Sequence, residues 1–128
     1  MIALLDTSTA SCQLTLVDGD KRHDYEWQAD RQLAKGLLSF VEQSLTKHDA
    51  SFSDLTGLAV LRGPGSYTGL RIGITVFNTI ADTRQIPIVG AVGDDWQAEA
   101  LQSLAAGKND QLVIPEYGGE ANITQPRK

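Results

Sequence analysis

Two short runs, LAVL at 58–61 and IPIVGAV at 86–92, carry no charged or strongly polar side chain. A strand that is apolar at every position is covered on both faces, the habit of parallel strands joined by helical crossovers. The intervening segment fits: residues 68–84 hold apolar side chains at helical spacing. The chain therefore builds part of its sheet from parallel strands with helices packed on them. The segments before these runs read differently. MIALLD is a short buried strand, and SCQLTLVDGDKRHDYEW reads as two strands about an Asp18-Gly19 turn, so residues 2–27 form a three-stranded meander. Leu33, Leu37, Val41 and Leu45 then recur every four residues, with Leu38 and Phe40 beside them, and predict a helix from Arg31 to Lys47 with Asp30 as its N-cap. A third helix is expected from an Asp94 or Asp95 cap through Ala106, with Gly107 ending it.

The resulting order, β-β-β-α-β-α-β-α, describes an α/β ribonuclease H-like lobe of the actin-like ATPase kind, with a mixed five-stranded sheet. It occurs once in 128 residues, which sets the expected domain at 1–107 and leaves 108–128 as an extended tail with a short strand at Leu112–Ile114. Neither a leader nor a membrane span is expected, because MIALLDTSTA lacks a charged start and no apolar run approaches 18 residues. Cytoplasm is the expected compartment. The formal net charge of −5 disfavours a stand-alone grip on nucleic acid or an anionic membrane.

The loop RGPGSYTGLRIG, residues 62–73, sits where the fourth strand gives way to the second helix. A P-loop requires a lysine after its last glycine, and none follows Gly69; a dinucleotide loop requires two residues between its second and third glycines, and Gly65 and Gly69 enclose three, Ser66, Tyr67 and Thr68. Gly63, Gly65 and Gly69 permit unusual backbone angles, Pro64 fixes one, and Ser66 or Thr68 can cap the helix that carries Arg71. An anion or nucleotide on that helix N-terminus is the alternative use.

Other chemistry is thin. A ribonuclease H-type metal pair needs carboxylates at the first strand end, on the first helix and at the fourth strand end. Asp6 and Glu42 match two positions, but the fourth strand ends in Leu61-Arg62, so no metal site is expected. Asp6 and Ser8 read as turn formers, His23 and His48 as separate surface histidines, and Cys12, the single cysteine, as a small core residue. No nucleophile–base pair supports a protease.

The helices carry more apolar surface than one sheet face asks for. On a helical wheel the apolar residues of the second helix sweep about 200° and those of the first about 160°, against the ~100° stripe of a helix lying on a sheet. This surplus marks a protein contact, with burial between the helices or under the tail as the alternative.

LLDTSTASCQLTLVDGD, GLAVLRGPGSYTGLRIGITVFNTIA and IPIVGAV resemble the TsaB (YeaZ) family of tRNA threonylcarbamoyladenosine machinery, with GPGSYTGLRIG the most specific string. The ending VIPEYGGEANITQPRK is similar to that family's C-terminus. The resemblance implies a non-catalytic scaffold that docks on a TsaD-like catalytic subunit, with a TsaE-like ATPase joining and tRNA met only within the complex. It implies no cofactor of its own; ATP, ADP and threonylcarbamoyl-AMP belong to the partner subunits. The implied contact helices map to Arg31–Lys47 and Thr68–Arg84, and the expected contact residues are Leu37, Val41, Leu45, Ile72, Val76, Thr79, Ile80 and Thr83. Self-association through the same helices is the alternative. Family members usually carry a second lobe, so this reads as a minimal, single-lobe form.

Overall fold

In a computed structural model, which describes residues 1–116, the strands form one sheet in the order β3-β2-β1-β4-β5. The meander comprises β1 (Ile2–Asp6), β2 (Ser11–Asp18) and β3 (Lys21–Gln28), paired antiparallel. Gly19 takes φ +65° in the turn between β2 and β3, as the Asp-Gly signal requires. The two apolar runs become β4 (Gly57–Gly63) and β5 (Ile88–Val92), parallel to each other, with β4 parallel to β1. The expected mixed five-stranded α/β fold is therefore the observed one.

Three helices cover the sheet: α1 (Leu33–Thr46), α2 (Tyr67–Arg84) and α3 (Trp96–Ala105). Helices α1 and α2 lie together on one face, where Leu5, Leu14 and Leu16 of the strands meet Leu37, Val41, Leu70 and Phe77. The shorter α3 covers the other face, setting Trp96 and Ala100 against Leu4, Ala59 and Val89. This two-sided burial is why residues 58–61 of β4 read as apolar throughout. Each fully buried leucine contributes about 2 kcal/mol of transfer free energy.

Three local expectations are corrected. Asp30 does not cap α1. It opens a 3-10 turn, Asp30–Gln32, at φ +49°, and its carboxylate accepts a hydrogen bond from Gln28 Nε2 at 3.0 Å. The α-helix begins at Leu33 with no side-chain cap, and α3 likewise lacks a cap from Asp95. Leu112–Ile114 is not a strand, because its polar backbone is bound by side chains instead. Val113 N donates to Asn78 Oδ1 at 2.9 Å, Asn78 Nδ2 donates to Val113 O at 3.0 Å, and Arg62 Nε donates to Ile114 O at 2.8 Å. Just upstream, Asn109 and Asp110 line the outer edge of β5. Ile88 N donates to Asn109 Oδ1 at 3.1 Å, Gly90 N to Asp110 Oδ2 at 2.9 Å, and Asp110 N to Ile88 O at 2.8 Å. These residues stand where another strand would pair. The rest of the expected tail, 117–128, lies outside the described residues.

Candidate functional site

The glycine loop is shaped by what presses on it. A side chain at Gly65 would have its Cβ 2.4 Å from Ser8 Cβ. At Gly69 it would meet Thr7 O at 2.3 Å, and at Gly73 Thr7 Oγ1 at 2.2 Å. Gly63, at φ +150°, lies under the Glu116 carbonyl, which a Cβ would approach to 2.0 Å. All four glycines thus let backbone or a buried threonine come close. The contact is locked by hydrogen bonds: buried Thr7 Oγ1 donates to Gly69 O at 2.7 Å, and Ser66 N donates to Ser8 O at 2.8 Å. Ser66 caps α2, its Oγ accepting from Gly69 N at 3.3 Å, as expected. The peptide between Gly63 and Pro64 is cis. Pro64, Tyr67, Thr68 and Arg71 are exposed, and Arg71 Nη1 donates to Tyr67 OH at 3.3 Å with its guanidinium over that ring.

Asp6 behaves as a turn former. Its Oδ1 accepts from Ser8 N at 2.8 Å and Ser8 Oγ at 2.6 Å. Glu42 is exposed on α1, and Arg62, at the end of β4, is committed to the tail. Among the described residues no three His, Cys, Asp or Glu side chains converge. Cys12 is buried, and burial first, then the nearby Asp6 charge, pushes its thiol up to about 12, so it is not a poised nucleophile.

The two histidines are not separate. His23 on β3 stacks on His48, just past α1, with ring centroids 4.2 Å apart, and His48 Nε2 shares a 2.5 Å hydrogen bond with Tyr25 OH. The pairing follows from strand register: His23, Tyr25 and Trp27 alternate onto the side of β3 that faces α1. Their separation in sequence hid it.

The face formed by α1 and α2 corrects half of the expected contact set. Leu37, Val41 and Leu45 are wholly buried and Ile80 nearly so; they form the core beneath the helices and cannot touch a partner. Ile72 and Val76 are half-buried, and Thr79 and Thr83 are exposed. The periodicity marked where the helices run, but it did not separate their inward side from their outward one. The outward apolar residues are Ala34 and Leu38 of α1, the latter 53% exposed, with Ile72, Val76 and Tyr67 of α2. Between the helices runs a groove. A cavity of about 980 Å³ lies at their N-terminal ends, with Trp27, Leu33 and Ile72 in its wall. It continues into one of about 330 Å³ walled by Ala34, Ile72, Thr75 and Val76. Ala34, Thr68 and Ile72 line both. The described tail packs on β5 and Asn78, away from this groove.

Residues 27–111 match the family described as TsaD: tRNA N6-adenosine threonylcarbamoyltransferase. The chain is 36% identical over 90 residues to the tRNA threonylcarbamoyladenosine biosynthesis protein TsaB of Escherichia coli K12, covering 70% of this chain and 38% of that protein. It is 31% identical over 122 residues to the TsaB of Haemophilus influenzae, covering 94% of this chain and 51% of the relative. Among solved structures, YeaZ from Pseudomonas aeruginosa superposes with a TM-score of 0.67 at 31% identity, over 71% of this chain and 43% of that one. The chain belongs to the TsaB (YeaZ) family. It spans about half, or less, of the length of these TsaB relatives. In this TsaB-family chain, GPGSYTGLRIG is the string that seats α2 against the β1–β2 turn.

Proposed function

We propose that this chain is a non-catalytic scaffold subunit in the formation of threonylcarbamoyladenosine in tRNA. It docks through the α1–α2 face onto a TsaD-like catalytic subunit and keeps that subunit competent. The observation that carries the reading is the outward apolar strip of Ala34, Leu38, Ile72 and Val76 on the two helices, left uncovered by the described tail. An apolar patch of this kind on a small lobe favours a protein contact. The committed Arg62 and the turn-forming Asp6 supply no acid–base pair for chemistry of the chain's own, in keeping with a scaffold role. A TsaE-like ATPase joins the assembly, the nucleotide and threonylcarbamoyl-AMP are held by the partners, and tRNA is met only within the complex.

The test is a threonylcarbamoylation assay with the TsaD-like protein of the same genome, with and without this chain, alongside co-purification. Leu38→Glu and Ala34→Glu place a charge on exposed helix positions, so folding survives while docking and stimulation are lost. Full stimulation by both variants overturns the reading. Micromolar ATP or ADP binding by the isolated chain favours the nucleotide-module alternative instead.

A further inference from the structure

We infer that the groove between α1 and α2 selects an acidic amphipathic partner segment, in which apolar side chains are flanked by carboxylates. This deepens the docking reading above and rests on it. The chain as a whole is acidic, with 16 Asp and Glu against 11 Lys and Arg. The groove is not. Arg31 lines its wider end and Arg71 its narrower one, both exposed, while exposed Lys35 stands in the first turn of α1. Asp30 is the one carboxylate among the described lining residues, and it is hydrogen-bonded to Gln28.

The placement of these cations breaks a local rule. Helix N-termini carry partial positive charge and favour acidic side chains. Neither α1 nor α2 has an acidic residue in its first turn, while Lys35 sits in that turn of α1, Arg31 just before it, and Arg71 one turn into α2. At the start of α1 the cations Arg31 and Lys35 are answered by Asp30 alone, and Arg71 has no acidic neighbour in the first turn of α2; such departures are expected where a surface serves binding. The groove floor is apolar, so a ligand made of charge alone leaves it unfilled, whereas an apolar ridge with acidic flanks matches floor and rim together. A second copy of the chain would bring the same cationic rim against this one.

The experiment titrates the full chain with the same-genome TsaD-like protein at about 50 and about 300 mM salt. The variants are R31E/R71E, R31K/R71K and L38E, with circular dichroism confirming each fold. Wild type and R31K/R71K are expected to weaken about tenfold with salt, and R31E/R71E to bind at least about tenfold more weakly at low salt. If L38E abolishes binding while R31E/R71E and salt change nothing, docking stands and the acidic-partner inference is overturned. If L38E also binds normally, both readings fall. A loss confined to tRNA capture by the assembled complex in R31E/R71E places RNA at the rim and overturns the inference too. So does an R31E/R71E-sensitive homodimer of the isolated chain.

Discussion

The glycine loop and the α1–α2 groove adjoin, yet they are built on opposite logic. The loop carries the most distinctive string in the chain, and its glycines are spent inward: three of them close on Thr7 and Ser8 and a fourth on Glu116. The groove borrows Thr68, Arg71 and Ile72 from the outward side of that string, and the rest of its wall follows no recognisable pattern. Ala34, Ile72, Thr75 and Val76, ordinary helix residues, wall its narrower part and remain at least partly in solvent. A specific sequence here reports tight packing, while the outward face of the helices is written mostly in ordinary residues.

Substitutions can break that contrast. The largest effect is expected from Gly73→Val, whose added atoms fall inside Thr7 at a fully buried contact; a loss of about 3 kcal/mol or more, read from the urea midpoint, follows from overpacking. Asn78→Ala leaves the Val113 N–H and carbonyl without their partners and should cost about 1–3 kcal/mol by the same measurement. Ser66→Ala removes the α2 cap and should cost about 1 kcal/mol. Leu38→Glu, on the outward face of α1, should stay within about 0.5 kcal/mol of wild type while abolishing co-purification with a TsaD-like protein. Equal stability losses in Gly73→Val and Leu38→Glu would erase the distinction between the regions.

A smaller effect concerns pH. The Cys12 thiol rises from its ordinary 9.0 to about 12 in the folded chain. Between those values the unfolded chain loses a proton that the native one keeps, so this contribution is complete below about 9 and declines as pH rises toward about 12. A Cys12→Ala chain should show a shallower fall in urea midpoint over that window. Equal slopes would mean that the thiol does not contribute.

Element order and sheet class were legible because hydrophobic period separates the meander, the doubly covered strands and the helices without reference to tertiary contacts. The Ser66 cap and the Asp6–Ser8 turn were legible because they are local. What failed was non-local. Leu37, Val41, Leu45 and Ile80 looked like surplus because a wheel gives the width of an apolar arc, not its orientation over the sheet. Asp30 looked like a cap, but the backbone arrives at α1 through a left-handed residue and a 3-10 turn. His23 and His48 are 25 positions apart and meet only because β3 and the end of α1 adjoin.

The side chains of Asn109 and Asp110 have a consequence at the scale of assemblies. By occupying the amides of Ile88 and Gly90, they deny that flank of the sheet to any visiting polypeptide. The opposite flank, β3, bears Lys21, Arg22, Asp24 and Glu26, which discourage stacking of like molecules. Growth by adding strands is thus blocked on one side and repelled on the other, so the sheet is closed to extension at both flanks.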